Sequence, residues 1–184
     1  FASTAVTWFF FGVGGAVLSQ VLFPIIKLVS KDATETGHRI KYAIHLSFRL
    51  FFWASSKTGV VYFRPFQLEK IDSEKGTIVI ANHPSLLDVC ALMAIYPQAN
   101  CIIKQQLFEN PYLKRVVSGA NYIPNDPLDP EGLIESCTKA LENGDCLIIF
   151  PEGTRTLPGV VPVLQRGAAH IALRTGAPVR YIQL

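Results

Sequence analysis

The chain is expected to fold as an α/β domain, with a central mixed, mostly parallel sheet flanked by helices and N-terminal membrane-associated helices ahead of it. Three observations lead there. From residue 59 onward, short apolar runs alternate with segments long enough for helices. Residues 38–53, HRIKYAIHLSFRLFFW, carry apolar side chains at three-to-four spacing. Residues 1–26, FASTAVTWFFFGVGGAVLSQVLFPII, contain no charged side chain at all. With 184 residues there is material for one domain with a buried core. The expected division is a membrane-embedded and amphipathic helical region over 1–57 and an α/β domain over 58–184. A start at Phe1 and an end inside a strand-like stretch suggest a chain cropped at both ends.

Composition narrows the function classes. Hydrophobic residues make up 49% and charged residues 17%, which argues against disorder. The mean hydropathy of +0.29 is high for a freely soluble protein. Net charge is +3 with no dense Lys/Arg run, so a nucleic-acid partner has little support, and an anionic membrane surface fits better. Cys90, Cys101, Cys137 and Cys146 form no C-x-x-C pair and no zinc spacing. They read as free thiols in a reducing compartment, with no metal site and no resident cofactor.

The elements come in this order. At 1.5 Å per residue, the uncharged run could cross roughly 30 Å of hydrocarbon. A secretory signal would bring a basic region and a cleavage site, neither of which is evident, and a buried core helix is rarely so long. Gly12, Gly14, Gly15 and Pro24 are potential breaks, so one spanning helix and a re-entrant pair both fit. Lys27, Lys31, Arg39 and Lys41 come next, and by the positive-inside tendency the remainder of the chain faces the cytoplasm. In 38–53, Ile40, Ala43, Ile44, Ser47, Phe48, Phe51 and Phe52 share one face, while Arg39, Lys41, His45 and Arg49 fall largely elsewhere. That amphipathic helix suits either the lipid interface or its own domain. Strands are expected at 60–63, 66–68, 77–81, 101–104, 121–123, 145–150 and 179–184. Asp129 and Pro130 read as a helix start with Gly144 as its stop, and 166–174 as a helix ended by Gly176.

Two strand ends carry candidate chemistry. The strand at 77–81 runs into Asn82-His83-Pro84-Ser85-Leu86-Leu87-Asp88. Proline favours the first helical position, which puts His83 at the cap and Asp88 in the second turn. The five-residue spacing lets the imidazole reach the carboxylate, which would fix its tautomer and make it a general base for an alcohol. A capping His and a surface Asp is the plainer account. The strand at 145–150 runs into Phe150-Pro151-Glu152-Gly153-Thr154-Arg155. Pro and Gly make a tight loop there, from which Arg155 could grip phosphate oxygens and Glu152 could accept a hydroxyl hydrogen. A solvated Glu–Arg pair is the alternative.

NHPSLLD followed by FPEGTR resembles the glycerolipid and lysophospholipid acyltransferase family, which includes lysophosphatidate acyltransferases. The resemblance is close over 77–184, and the apolar start and basic linker look similar to bacterial members. It implies that His83 deprotonates the acceptor hydroxyl while Asp88 orients it, and that the alkoxide attacks a thioester on coenzyme A or acyl carrier protein without an acyl-enzyme. It implies that Glu152, Gly153 and Arg155 bind the acceptor, with Thr154 beside them, and that Asn82, Pro84 and Ser85 shape the turn, Asn82 and Ser85 within reach of substrate. Lys104, where such enzymes often carry a basic residue, and Arg166, at a helix start, are further candidate anion ligands. The implied acceptor is 1-acylglycerol-3-phosphate or a related lysolipid; in Tyr122-Ile123-Pro124-Asn125-Asp126 the Arg with which the family usually holds glycerol phosphate is absent, which points away from lysophosphatidate and leaves Asn125 as a candidate contact for a different headgroup. The implied partners are membrane lipids, a lysophospholipid acceptor and the acyl thioester donor. The implied location is the cytoplasmic face of a membrane, in the bacterial case the inner one. A thioesterase or lipid hydrolase in which His83 activates water, and a membrane lipid-binding module without catalysis, are the other readings. Free fatty acid formed without any acceptor would mark the first. Ser85 as a covalent nucleophile lacks the G-x-S-x-G setting.

Overall fold

In the computed structural model, residues 2–61, 76–85, 87–111, 113–153 and 163–184 are described. The expected strand at 66–68 lies outside them, as does most of that at 60–63. Val60 and Val61 instead donate their amides to the Ser55 carbonyl, at 3.0 and 3.4 Å, which closes the end of the preceding helix.

The described strands are β1 (Ile78–Ala81), β2 (Ala99–Lys104), β3 (Ile123–Asn125), β4 (Cys146–Ile149) and β5 (Val179–Ile182). They form a single sheet in the order β3-β2-β4-β1-β5, and each pairing among them is parallel. All five strands therefore end on the same side, where loops can converge. β3 begins two residues later than expected. Asn121 takes a positive φ of 54° in the turn that precedes it.

Side-chain alternation divides the core into two layers. Val79, Ala81, Cys101 and Ile148 point to one face, covered by helices α3 (Ala33–Lys57), α4 (Asp88–Ile95) and α6 (Lys114–Gly119). Ile78, Leu147 and Ile123 point to the other, covered by α7 (Pro130–Glu142) and α8 (Gly167–Thr175). Helix α7 starts as its sequence dictates: the Asp129 carboxylate accepts the Gly132 amide at 2.9 Å, with Pro130 at the first position. Helix α8 stops at Gly176, whose φ of 65° is cheap only without a Cβ. The short α5 (Gln106–Glu109) comes directly after β2.

The N-terminal helices share this core. Phe23 and Ile26, on α2 (Phe23–Val29), and Ile40 and Ile44, on α3, are buried in the layer that includes Val79 and Ile148. The glycines do not break the leading helix. α1 (Ala2–Val17) passes into α2 through one π-turn over Leu18–Leu22, in which the Phe23 amide donates to the Leu18 carbonyl. Pro24 explains the turn: it has no N–H, and its ring needs room beside the carbonyl four residues back. Thr7–Val29 is thus a helix of 23 residues, long and apolar enough to cross a membrane, and mostly unburied. At the π-turn, Arg115 of α6 donates to the Gln20 side-chain oxygen.

Helix α3 corrects the expected polar face. Lys41 and His45 are buried, whereas Tyr42, Leu46, Leu50 and Trp53 are exposed. The helix packs along one side on α4 and the sheet, and along another it meets α1, where Phe11 contacts Phe48 and Phe51 with ring centroids 6.1 and 5.2 Å apart. Lys41 and His45 lie on the inward side because each has a partner there. Lys41 forms an ion pair with Asp145, and His45 Nδ1 lies 3.0 Å from the Met93 carbonyl.

Candidate active site

β1 and β4 are hydrogen-bonded neighbours, with Ile80 opposite Ile149. The two motifs at their C-terminal ends therefore emerge side by side at the same end of the sheet. After Ala81 the chain runs without helical structure through Asn82, His83 and Pro84. Helix α4 starts at Asp88 rather than at Pro84. The cause is local. The Asp88 carboxylate accepts the Ser85 amide at 2.6 Å and the Ser85 hydroxyl at 2.5 Å, a side-chain turn that competes with helix over these residues. Asp88 is the first helical residue, not a member of the second turn.

The imidazole nevertheless reaches the acid. His83 Nδ1 lies 2.9 Å from Asp88 Oδ2, with side-chain exposures of 18% and 8%. A ring that uses Nδ1 toward a carboxylate leaves Nε2 to act on a substrate. Both Asp88 oxygens accept from protein donors, so the carboxylate is held still while the ring remains partly open to solvent.

The second loop is bound to the first. Phe150-Pro151-Glu152-Gly153 form a tight turn in which the Gly153 amide donates to the Phe150 carbonyl at 3.0 Å. Gly153 holds a φ of 67°, a conformation that suits glycine. Glu152 Oε1 accepts the backbone N–H of His83 at 3.2 Å, and the Phe150 ring stacks on the imidazole with centroids 4.3 Å apart and planes at 25°.

The other expected site residues are spread more widely. Thr154 and Arg155 lie outside the described residues. Arg166 is exposed at the start of α8, one residue after Gln165, whose amide donates to the Pro151 carbonyl at 2.6 Å. The start of α8 is thereby pinned to the FPEG turn. Lys104 and Asn125 are exposed register partners at the ends of β2 and β3. They share the end of the sheet with His83, though β2 lies two strands from β1, about 10 Å away. The Ser85 donors are committed to Asp88. The Asn82 side chain clasps the backbone of Leu184, donating to its carbonyl at 3.2 Å and accepting its amide at 2.7 Å.

Three of these contacts were missed in the sequence: the Phe150 stack, the Glu152 tie to the His83 backbone and the Asn82 clasp. The stack had a signal, since in DCLIIF the Phe falls two residues after Ile148 and so continues the same face of β4. The other two depend on which strands are neighbours.

The acyltransferase family model matches residues 66–180, a span that holds both loops, strands β1 to β4 and the start of β5. The chain belongs to the acyltransferase family. Among its relatives, a chloroplastic 1-acyl-sn-glycerol-3-phosphate acyltransferase of Brassica napus is 30% identical over 72% of this chain and 40% of its own length. Proteins of the same description from Helicobacter pylori and Bacillus subtilis are 38% and 31% identical, over 54% and 62% of this chain and 42% and 58% of theirs. This acyltransferase-family chain thus spans about half the length of the curated relatives it matches. The crystal structure of the 1-acyl-sn-glycerophosphate (LPA) acyltransferase PlsC from Thermotoga maritima superposes with a TM-score of 0.72 over 97% of this chain and 72% of that one, at 21% identity, and so shares its fold.

Proposed function

We propose that the protein is an O-acyltransferase that moves a fatty acyl group from acyl-CoA or acyl carrier protein to the free hydroxyl of 1-acylglycerol-3-phosphate or a related lysolipid. The single observation that carries this reading is the His83–Asp88 pair, 2.9 Å apart at the mouth of a parallel sheet and tied through Glu152 to the neighbouring strand-end loop. In this reading His83 Nε2 removes the acceptor's hydroxyl proton, and the oxygen attacks the thioester carbonyl. The carbon–sulfur bond then breaks, and the imidazolium returns its proton to the leaving thiolate. Asp88 holds the tautomer and supports the cation. The lysolipid relatives support the acceptor class. Arg155 and Arg166 are the proposed anion ligands for the headgroup, with Lys104 and Asn125 at the far side of the same sheet end. The apolar Thr7–Val29 helix, exposed along most of its length, supports membrane association, and Lys27, Lys31, Arg39 and Lys41 support the proposal that the catalytic domain faces the cytoplasm.

Incubation with a panel of lysolipids and both thioester donors, read by mass spectrometry, tests this directly. A diacyl product that depends on the acceptor is expected. Fatty acid released at the same rate without acceptor would make the protein a hydrolase. His83→Ala should lower transfer by about 10³-fold or more while the melting curve and membrane association stay unchanged. Undiminished turnover by that variant removes the mechanism.

A further inference from the structure

A hydrogen bond fixes a point, not a plane. The bond from His83 Nδ1 to Asp88 holds one ring atom, and the bond from the His83 amide to Glu152 holds the backbone. With only these two, the imidazole can still rock about the line from Cβ to the carboxylate, and the position of Nε2 is not fixed. One further contact removes that freedom. Phe150 leaves β4 on the rung beyond Ile149, beside the end of β1, and lays its ring against the imidazole at 4.3 Å and 25°. Stacked rings near this separation are close to a favoured aromatic arrangement, and a ring face this near also attracts a cation. Phe150 is half-buried and packed against the core layer below β1 and β4, so its own orientation is held by the fold.

We propose that Phe150 is a positioning residue for acyl transfer: its ring sets the plane of the His83 imidazole, so that Nε2 is presented to the acceptor hydroxyl while Nδ1 stays on Asp88. The inference rests on the acyltransferase reading. Phe150 touches neither substrate in this role and acts only through His83. Misplacement of a reacting group by about 1 Å can cost on the order of 10²-fold in rate, so a loose ring should lower turnover without weakening substrate binding.

The test compares Phe150→Leu, which keeps apolar bulk but loses the flat face, with Phe150→Tyr, which keeps the face. Phe150→Leu should lower kcat about tenfold or more, with both Michaelis constants within about twofold of the wild type, and Phe150→Tyr should restore most of the rate. Equal kcat values for wild type and Phe150→Leu, or a Phe150→Tyr variant as slow as Phe150→Leu, would overturn the proposal. A second measurement needs no turnover. Of the four histidines, His83 should give ring-proton resonances displaced by the Phe150 ring current, assigned by their loss in His83→Ala. In Phe150→Leu those resonances should move downfield and broaden, and in Phe150→Tyr they should stay. Unmoved resonances reject the stack whatever the protein catalyses. Displaced resonances in a protein that transfers no acyl group keep the stack and reject the acyltransferase reading.

Discussion

The two ends of the sheet each hold a carboxylate beside a basic side chain, and they use the pair differently. At the C-terminal end, Asp88 meets His83, five residues away in one loop, and the ring stays partly open. At the N-terminal end, Asp145, which precedes β4, meets Lys41 of α3 across 104 residues of chain. That second pair is sealed, with side-chain exposures of 2% and 4%, and Asn100 Nδ2 donates to the same Asp145 oxygen at 2.8 Å. Burial pushes the Lys41 pKa down, and Asp145 pulls it only part of the way back. A local pair with an open face can serve chemistry, because it costs little to assemble and its proton can reach a substrate. A long-range sealed pair serves registry: it forms only when α3 lies correctly across the sheet, and it is costly to leave half-made.

The largest expected effect falls at the open end. Asp88→Asn should lower turnover by up to about 10⁴-fold, by presenting the wrong partner to Nδ1, with little change in melting temperature. A large loss of stability alongside would show that the two ends are not so different. At the sealed end, Lys41→Met should strand a buried carboxylate and cost about 3–5 kcal/mol in chemical denaturation, while turnover per folded molecule stays near the wild type. The double variant Lys41→Met with Asp145→Leu should recover most of that stability, and its failure to do so would count against a registry role. Asn82→Ala removes two hydrogen bonds to the Leu184 backbone and should cost about 1 kcal/mol by the same measurement.

The smallest effect is pH-dependent. Glu35 accepts the Lys31 amide at 2.7 Å and is paired with Arg39, and these contacts hold its carboxyl below the usual 4.5. A carboxyl with a lowered folded pKa stabilises the protein fully above the unfolded value. That contribution fades as pH falls through the folded one. Glu35→Gln should therefore melt slightly below the wild type at pH 7, with the gap closing below about pH 4.5. A gap that keeps its full size however far the pH falls below 4.5 would refute the assignment.

Legibility in the sequence tracks the range of the interactions involved. Strands β1, β2, β4 and β5 are apolar runs bounded by turn residues, and α7 and α8 carry their own caps, so each was visible locally. The His83–Asp88 contact was legible for the same reason, although the helix it was drawn on starts at Asp88. Lys41 and His45 were misplaced because a helical wheel assumes one wet side, whereas α3 is covered from two directions. The Glu152 tie and the Asn82 clasp required knowing that β1 lies between β4 and β5. Spacing along one chain cannot supply that order.

The bond between Gln20 and Arg115 sets a waterline on the leading helix. A guanidinium belongs among lipid headgroups or in water, not among acyl tails. A bilayer that takes up this helix must leave Arg115 at its headgroups, so it can receive Val13 and Val17 while Phe23 and Ile26 stay with the domain. The joint that relieves Pro24 would then be the depth gauge of the whole molecule.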